Sequence, residues 1–270
     1  MIRNRALLAS MVAAAGLTLA VAGCKKKKTQ EPPPDDTASP SASASPSASA
    51  DPTPSAPAGG KGSITGSVAF TGTAPTLKPT TPDKDPAVCG SSIADESLIV
   101  NANKTVKNVV VRVVSDMKVP GPSTPVIIDQ KGCQYHPHVS TAVLGQKVEA
   151  HSSDTTIMHN VHSYQGEGDA QTGLDNISQP PGSPPADLQI PEEGGALLLK
   201  CDVHPWMTAY VVVSSHPYVA VTGDDGSFKI EGVPAGKYTI EAWSESLGKK
   251  TVEVEVTADK GVEAKFEYSK

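Results

Sequence analysis

The sequence predicts an all-β protein built from sandwiches of short strands. After Gly60, apolar and small polar residues alternate in many short runs, and no window shows a sustained helical period. The chain has 270 residues with 24 Pro and 23 Gly, so part of it need not be folded, and one or two small domains are expected. Short strands of this kind favour β-sandwiches.

The predicted strands share either this alternation or a Val-rich composition. They are 63–70, 106–114, 126–129, 138–144, 147–151, 196–200, 209–214, 236–243, 250–256 and 262–268. Gly145-Gln146 predicts a turn between two of them. The stretch from His162 to Ala196 is rich in Gly, Pro and Asp, and it predicts a long surface connection with room for one short strand.

The N-terminus has the pattern of an export signal. Residues 1–23 combine Arg3 and Arg5 with an apolar stretch that ends in small residues, which is typical of a signal peptide rather than a membrane span of the mature protein. The segment from Leu19 to Cys24 is similar to a bacterial lipoprotein signal. That resemblance implies acyl chains on Cys24, and an ordinary signal peptide with an incidental cysteine is the alternative.

Residues 24–60 predict a lipidated, disordered linker. Lys25 to Lys28 would either lie against anionic headgroups or remain solvated. From Thr37 to Ala58, every residue except Asp51 is Ser, Ala, Pro or Thr, which is too poor in large apolar groups to fold. We therefore expect a lipid-anchored protein of the cell envelope, periplasmic or on the outer surface. By resemblance to the enterobacterial sorting rule, Lys25 after the lipidated cysteine favours the outer membrane.

Charge and motif content exclude several functions. The formal net charge is −6 and the folded part has no basic stripe, so no nucleic-acid partner is expected. The sequence offers no Ser/His/Asp arrangement, no phosphate loop and no carboxylate pair at an informative spacing. We therefore do not expect an enzyme.

A short loop predicted between two apolar runs carries three soft or borderline metal donors. Its residues, Cys201-Asp202-Val203-His204-Pro205-Trp206-Met207, place a thiolate, an imidazole and a thioether close together. Type 1 copper sites use two His and one Cys in a plane with a weak axial Met, so this loop lacks one His.

The missing histidine has two candidates in Met158-His159-Asn160-Val161-His162. Residues three apart in a strand point to opposite faces, so His159 and His162 are not equal ligands. We take His159 as the ligand and leave His162 with a structural or substrate-side role. All seven His of the chain fall between residues 126 and 216, which favours a metal-binding segment.

Both segments resemble the cupredoxin family. Cys201-x2-His204-x2-Met207 is similar to the cupredoxin ligand loop, with the short spacing of amicyanins, and the His-Asn-Val-His run resembles the segment that supplies the first ligand. The resemblance covers about 90 residues from 126 to 216. It implies one type 1 copper ion held by His159, Cys201, His204 and Met207. Amicyanins have Pro where this chain has Met158, a change that removes no donor.

The same resemblance assigns roles to neighbours of the ligands. It implies that Asn160 ties the first-ligand strand to the Cys201 loop, with an ordinary strand or turn asparagine as the alternative. Pro205 and Trp206 would form an apolar collar around an exposed His204, where a redox partner protein docks. Trp206 as a core residue of the loop is the alternative.

The two remaining cysteines predict a disulfide. With Cys24 assigned to lipid and Cys201 to metal, Cys89 and Cys133 are left in an exported protein, where disulfides persist. The alternative is a second metal site formed by Cys133, His136 and His138.

The C-terminal part resembles a second family. Residues 221–240, with their Asp-Gly-Ser-Phe and Val-Pro-Ala-Gly-Lys-Tyr runs, resemble the carboxypeptidase regulatory-like (transthyretin-like) module, and residues 62–68 resemble its first strand. We expect one discontinuous domain, 61–125 plus 217–270, with a copper-binding sandwich inserted at 126–216. A merged single sandwich is the alternative. The module resemblance includes no zinc ligands, so it does not imply peptidase activity.

Together these resemblances imply a membrane-tethered copper protein that carries electrons in the cell envelope. A copper store or chaperone is one alternative, and it would favour exchangeable ligands. A cell-surface β-sandwich scaffold with a vestigial copper site is the other.

Overall fold

A computed structural model describes residues 59–166, 171–192 and 194–270 of the chain. The predicted signal peptide, Cys24 and nearly all of the predicted linker lie outside the described residues. Within the described ranges, no helix is long and apolar enough to cross a bilayer.

The described residues form sixteen β-strands and one four-residue helix, α1 (Pro86–Cys89). The first eight strands are β1 (Lys61–Thr71), β2 (Val110–Val114), β3 (Val126–Lys131), β4 (Gln134–His136), β5 (Val139–Val143), β6 (Val148–Ser152), β7 (His159–Gln165) and β8 (Thr172–Gln179). The other eight are β9 (Ala186–Leu188), β10 (Gly195–Lys200), β11 (Thr208–Ser214), β12 (Val219–Val221), β13 (Ser227–Pro234), β14 (Gly236–Ser244), β15 (Gly248–Val256) and β16 (Gly261–Ser269). The predicted all-β class is confirmed.

These strands form four sheets. Two are built from the strands nearest the ends of the described chain, in the orders β13-β1-β16 and β12-β2-β14-β15. The other two are built from the middle of the chain, in the orders β5-β11-β10-β7-β8 and β4-β3-β6-β9.

The first pair of sheets encloses a largely apolar core. Strand β1 lies between β13, to which it is antiparallel, and β16, to which it is parallel. The close approach of β1 to β16 requires glycine at position 66, because a Cβ there would lie 1.8 Å from the carbonyl oxygen of Ala264. Ile64, Phe228 and Tyr268 are among the buried side chains of this core.

The second pair of sheets encloses another core, which contains Cys201 and Met207. Cys89 and Ile93 also belong to it, although they precede β2 in the chain. A small third cluster, with Val110 and Trp243 on one side and Val139 and Val212 on the other, packs the two pairs of sheets together.

The predicted surface connection after His162 contains more structure than its sequence indicates. It includes β8, which pairs along β7, and β9, which pairs with β6. β8 is an edge strand, and most of its side chains are exposed or half-buried. Such a strand lacks a continuous apolar face, so its alternation is weak in the sequence.

Candidate metal centre

The first group of donors comes from the start of β7. His159 and Val161 are fully buried, because alternate residues of a strand share one face and this face meets the core. His162 lies on the other face, 25% exposed at its side chain, with its ring stacked on Tyr164. The strand therefore places His159, and not His162, at the core.

The second group comes from the loop between β10 and β11. Lys200 pairs with Thr208 at the base of this loop and with His162 of the neighbouring β7. The loop is a tight turn, since the backbone N–H of Met207 donates to the carbonyl of His204 over 2.9 Å. The backbone N–H of His204 lies 3.4 Å from the Cys201 sulfur and donates to it. This bond places the Cys201 sulfur against the His204 backbone.

Three donor atoms converge where the strand and the loop meet. The sulfur of Cys201 lies 3.9 Å from Nδ1 of His159 and 3.9 Å from Nδ1 of His204. The two Nδ1 atoms lie 3.1 Å apart. All three side chains are at most 2% exposed. Their donor atoms lie close enough together to bind one metal ion.

A carboxylate holds the outer nitrogen of each imidazole. Nε2 of His159 donates to Asp154 over 3.0 Å, and Nε2 of His204 donates to Asp85 over 2.9 Å. A neutral imidazole whose Nε2 carries the proton has a free lone pair on Nδ1. Both lone pairs therefore face the shared centre, as in the carboxylate–histidine–metal arrangement.

This donor set fits a soft or borderline transition-metal ion. Two Nδ1 atoms only 3.1 Å apart require a shared cation, which is either a proton in a hydrogen bond or a metal ion. Donors that share one ion at bond lengths of about 2.0–2.3 Å lie about 3–4 Å apart, as these three do. Two imidazoles and a thiolate are the in-plane donors of type 1 copper sites.

Asn160 joins the two donor segments. Its Oδ1 accepts from the backbone N–H of Asp202 over 2.7 Å and lies 3.4 Å from the Cys201 sulfur. Its Nδ2 donates to the carboxylate of Asp202 and to Asn176 on β8. Asn160, which lies on β7 next to His159, thus ties this strand to the Cys201 loop.

Burial sets the electrostatics around these donors. It lowers the pKa of His159 more than the hydrogen bond to Asp154 raises it, and the nearby His204 lowers that pKa further. A lowered pKa keeps the His159 imidazole neutral, as a metal ligand must be. Burial, followed by the charge of Cys201, raises the pKa of Tyr135 well above 10.

His204 is not exposed, contrary to what the family resemblance implies. Its side chain is fully buried, and Asp85 lies against its outer nitrogen. Pro205 is exposed, while Trp206 is half-buried and donates from Nε1 to the carbonyl of Cys133 over 3.0 Å. Met207 is 1% exposed and lies in the same core as Cys201.

Four further cysteines and histidines of the described residues have other partners. Cys89 and Cys133 form a disulfide. His136 lies 3.2 Å from the carbonyl of Lys131, and His138 is paired with Glu245. Cys133, His136 and His138 therefore do not converge into the alternative second metal site.

Three residues at the centre carry no recognisable signal in the sequence. Asp85 is 119 residues from His204, and Asp154 precedes His159 by five residues in a polar run. The hydroxyl of Tyr135 lies 3.0 Å from the carbonyls of both Asn160 and Lys200, at the ends of the two donor segments. The seven-residue loop and the His-Asn-Val-His run were visible because their residues are local in the chain.

Comparisons with known proteins match different parts of the chain. Residues 194–264 match the model of the polysaccharide lyase family 4 domain II. A stretch of 67 residues is 36% identical to endoplasmic reticulum membrane protein complex subunit 7 from Danio rerio, and it covers 24% of this chain. The chain spans only 28% of the length of that curated relative.

Several solved structures are partly similar in fold. A purple cupredoxin from Nitrosopumilus maritimus is 23% identical with a TM-score of 0.28, over 33% of this chain and 99% of that one. The reduced state of an amicyanin mutant is 18% identical with a TM-score of 0.29, over 38% and 99% of the two chains. A copper-containing nitrite reductase from Thermus scotoductus is 19% identical with a TM-score of 0.27, over 38% and 25%.

Proposed function

We propose that this protein is a type 1 copper protein that transfers electrons in the cell envelope. The observation that supports it most is the convergence of the Cys201 sulfur and two imidazole Nδ1 atoms, at separations of 3.1–3.9 Å, in a buried site. His159, Cys201, His204 and Met207 would hold the ion. Bound copper would supply one-electron chemistry.

The protein's own residues would keep the centre rigid. Asp154 and Asp85 orient the imidazoles, and the His204 backbone N–H donates to the Cys201 sulfur. Asn160 holds the Cys201 loop by accepting from the backbone N–H of Asp202. Burial of all three donors excludes water. A rigid, dry donor set changes little between oxidation states, which suits electron transfer rather than turnover of a substrate. We therefore propose a carrier and not an enzyme.

We also propose how the carrier is placed and with what it exchanges electrons. The lipoprotein-like signal would anchor the protein to a membrane of the cell envelope through Cys24, with the linker as a tether. A redox partner protein would approach the loop that contains Pro205 and Trp206. Strands β1, β2 and β12–β16 would form the regulatory-like module, since both of its resembling segments lie within that part of the fold.

The visible spectrum of the purified protein loaded with Cu(II) tests the copper proposal. We expect an intense thiolate-to-copper absorption band that disappears in Cys201→Ser and persists in the control His162→Ala. A colourless protein that binds only Cu(I) would instead favour a copper store or chaperone. No copper uptake by a folded protein would contradict both and favour a scaffold.

A further inference from the structure

The outer edge of His204 is covered by a loop from a distant part of the chain. We call residues 80–93 the cover loop. Its two ends pair through the backbone of Thr80 and Ile93, whose N–H groups each donate to the other's carbonyl over 2.9 and 2.8 Å. The loop is therefore closed at its base.

Two further contacts attach the cover loop to the candidate metal centre. The disulfide joins Cys89 of the loop to Cys133, whose carbonyl accepts from Trp206 of the donor loop. Nζ of Lys84 donates to the carbonyl of Val203 over 3.1 Å. These attachments place Asp85, between Lys84 and Cys89, directly over the imidazole of His204.

Asp85 does not serve the local structure in the way its position predicts. It is the N-cap residue of α1, where an aspartate side chain normally accepts from the first backbone N–H groups of the helix. Here the side chain makes no capping bond, and the backbone carbonyl of Asp85 accepts from Val88 and Cys89 instead. The backbone also adopts a left-handed conformation, with φ 47°, which is unfavourable for most residues.

The side chain of Asp85 is directed at His204 instead. Its Oδ2 lies 2.9 Å from Nε2, and it is 41% exposed while the imidazole is fully buried. Without this carboxylate, the Nε2 proton would lose its partner and the ring would lose the contact that fixes its tautomer. The side chain of Asp85 thus contacts the imidazole rather than the helix that it precedes.

We propose that Asp85 is a positioning residue of the metal centre, which holds the His204 imidazole with Nδ1 towards Cys201 and His159 and closes its outer edge. The inference rests on the proposed metal centre. It means that one support of the donor set comes from outside the segment 126–216 that supplies every ligand. Electrons would then not enter or leave the metal centre through an exposed His204 ring, because Asp85 covers the edge of that ring.

Two measurements on the full chain test this role. In the metal-free protein, NMR should detect a His204 Nε2 proton protected from solvent exchange. Asp85→Ala should abolish that protection, whereas Asp83→Asn, which changes the charge of an exposed neighbour, should preserve it. Asp85→Asn retains an acceptor oxygen and should preserve much of the protection. This variant keeps the test decisive if Asp85→Ala does not fold.

The second measurement is copper affinity by competition with a chelator. Loss of a carboxylate that supports a ligating histidine typically weakens metal binding by about 10–100-fold, and we expect Asp85→Ala to fall in this range. Asp85→Asn should lose less, and Asp83→Asn should match the wild type.

The result that would overturn the role of Asp85 differs from the result that would overturn the proposed function. Equal proton protection and equal copper affinity in Asp85→Ala and the wild type would overturn the role of Asp85. A wild-type protein that takes up no copper would overturn the proposed function, and proton protection in the metal-free protein would still decide whether Asp85 holds His204.

Discussion

The two candidate histidine ligands are supported in opposite ways. His159 is held by Asp154, which is five residues away in the chain, 7% exposed, and also accepts from the backbone N–H groups of Gly132 and Cys133. His204 is held by Asp85, which is 119 residues away and is exposed. The first support is part of a buried hydrogen-bond network, whereas the second is a single contact from a tethered loop. We infer that Asp154 stabilises the fold as well as the metal centre, whereas Asp85 mainly supports the metal centre.

Removal of the disulfide between Cys89 and Cys133 should lower the free energy of unfolding more than any other change. This disulfide joins the cover loop, which contains Asp85, to the segment that is hydrogen-bonded to Asp154. The double variant Cys89→Ala/Cys133→Ala frees a loop of 44 residues. Loop-closure entropy predicts a loss of about 4 kcal/mol in the free energy of unfolding. Urea denaturation of the metal-free protein measures it.

Reduction of the wild type by a dithiol provides the control for this variant. It should lower the stability by a similar amount, since it breaks the same bond without changing a side chain. A double variant as stable as the oxidised wild type would show that the cover loop is held without the disulfide.

Asp154→Ala should cause the next largest loss of unfolding free energy. Its comparison with Asp85→Ala distinguishes the roles of the two carboxylates most clearly. It removes the acceptor of three hydrogen bonds and leaves buried donors unsatisfied, at a cost of about 3 kcal/mol. Asp85→Ala should cost only about 0.5–1 kcal/mol, because water can reach its position. Urea denaturation of the two metal-free variants measures both losses. Equal losses would contradict the distinction between a folding support and a site support.

Features formed by residues that are close together in the chain could be predicted from the sequence, whereas contacts between distant residues could not. The alternation of β1, β14 and β16 and the Cys201-x2-His204-x2-Met207 loop are local patterns, so the all-β class and the donor loop could be recognised in the sequence. Asp85 could not, because only the fold brings it to His204. The polar β8 is longer than the one short strand that the sequence predicts between His162 and Ala196, since it pairs along β7 and needs no continuous apolar face. The domain division at residues 126 and 216 stays a prediction.

A third histidine also has a carboxylate partner, and it sharpens the comparison with the two proposed ligands. Burial alone would lower the pKa of His138, but the hydrogen bond and charge of Glu245, with smaller contributions from Glu96 and the carbonyl of Thr208, raise it above its usual value. This pair therefore favours a protonated imidazole, unlike His159. Its contribution to stability is complete below the unfolded pKa of about 6.5 and is lost as the pH rises through the higher folded pKa.

Glu245→Gln tests this sign. The variant should lose about 1 kcal/mol of unfolding free energy relative to the wild type at about pH 5.5, and less at about pH 9. Urea denaturation at the two pH values measures the difference. A loss that is the same at both values would show that the pair does not depend on a proton on His138.

X-ray absorption at the copper edge of the Cu-loaded protein tests the proposed metal centre most directly. We expect one short sulfur contact and two imidazole nitrogens around the ion, and loss of the short sulfur contribution in Cys201→Ser. A wild-type spectrum with only nitrogen and oxygen donors would contradict a type 1 site built from His159, Cys201 and His204.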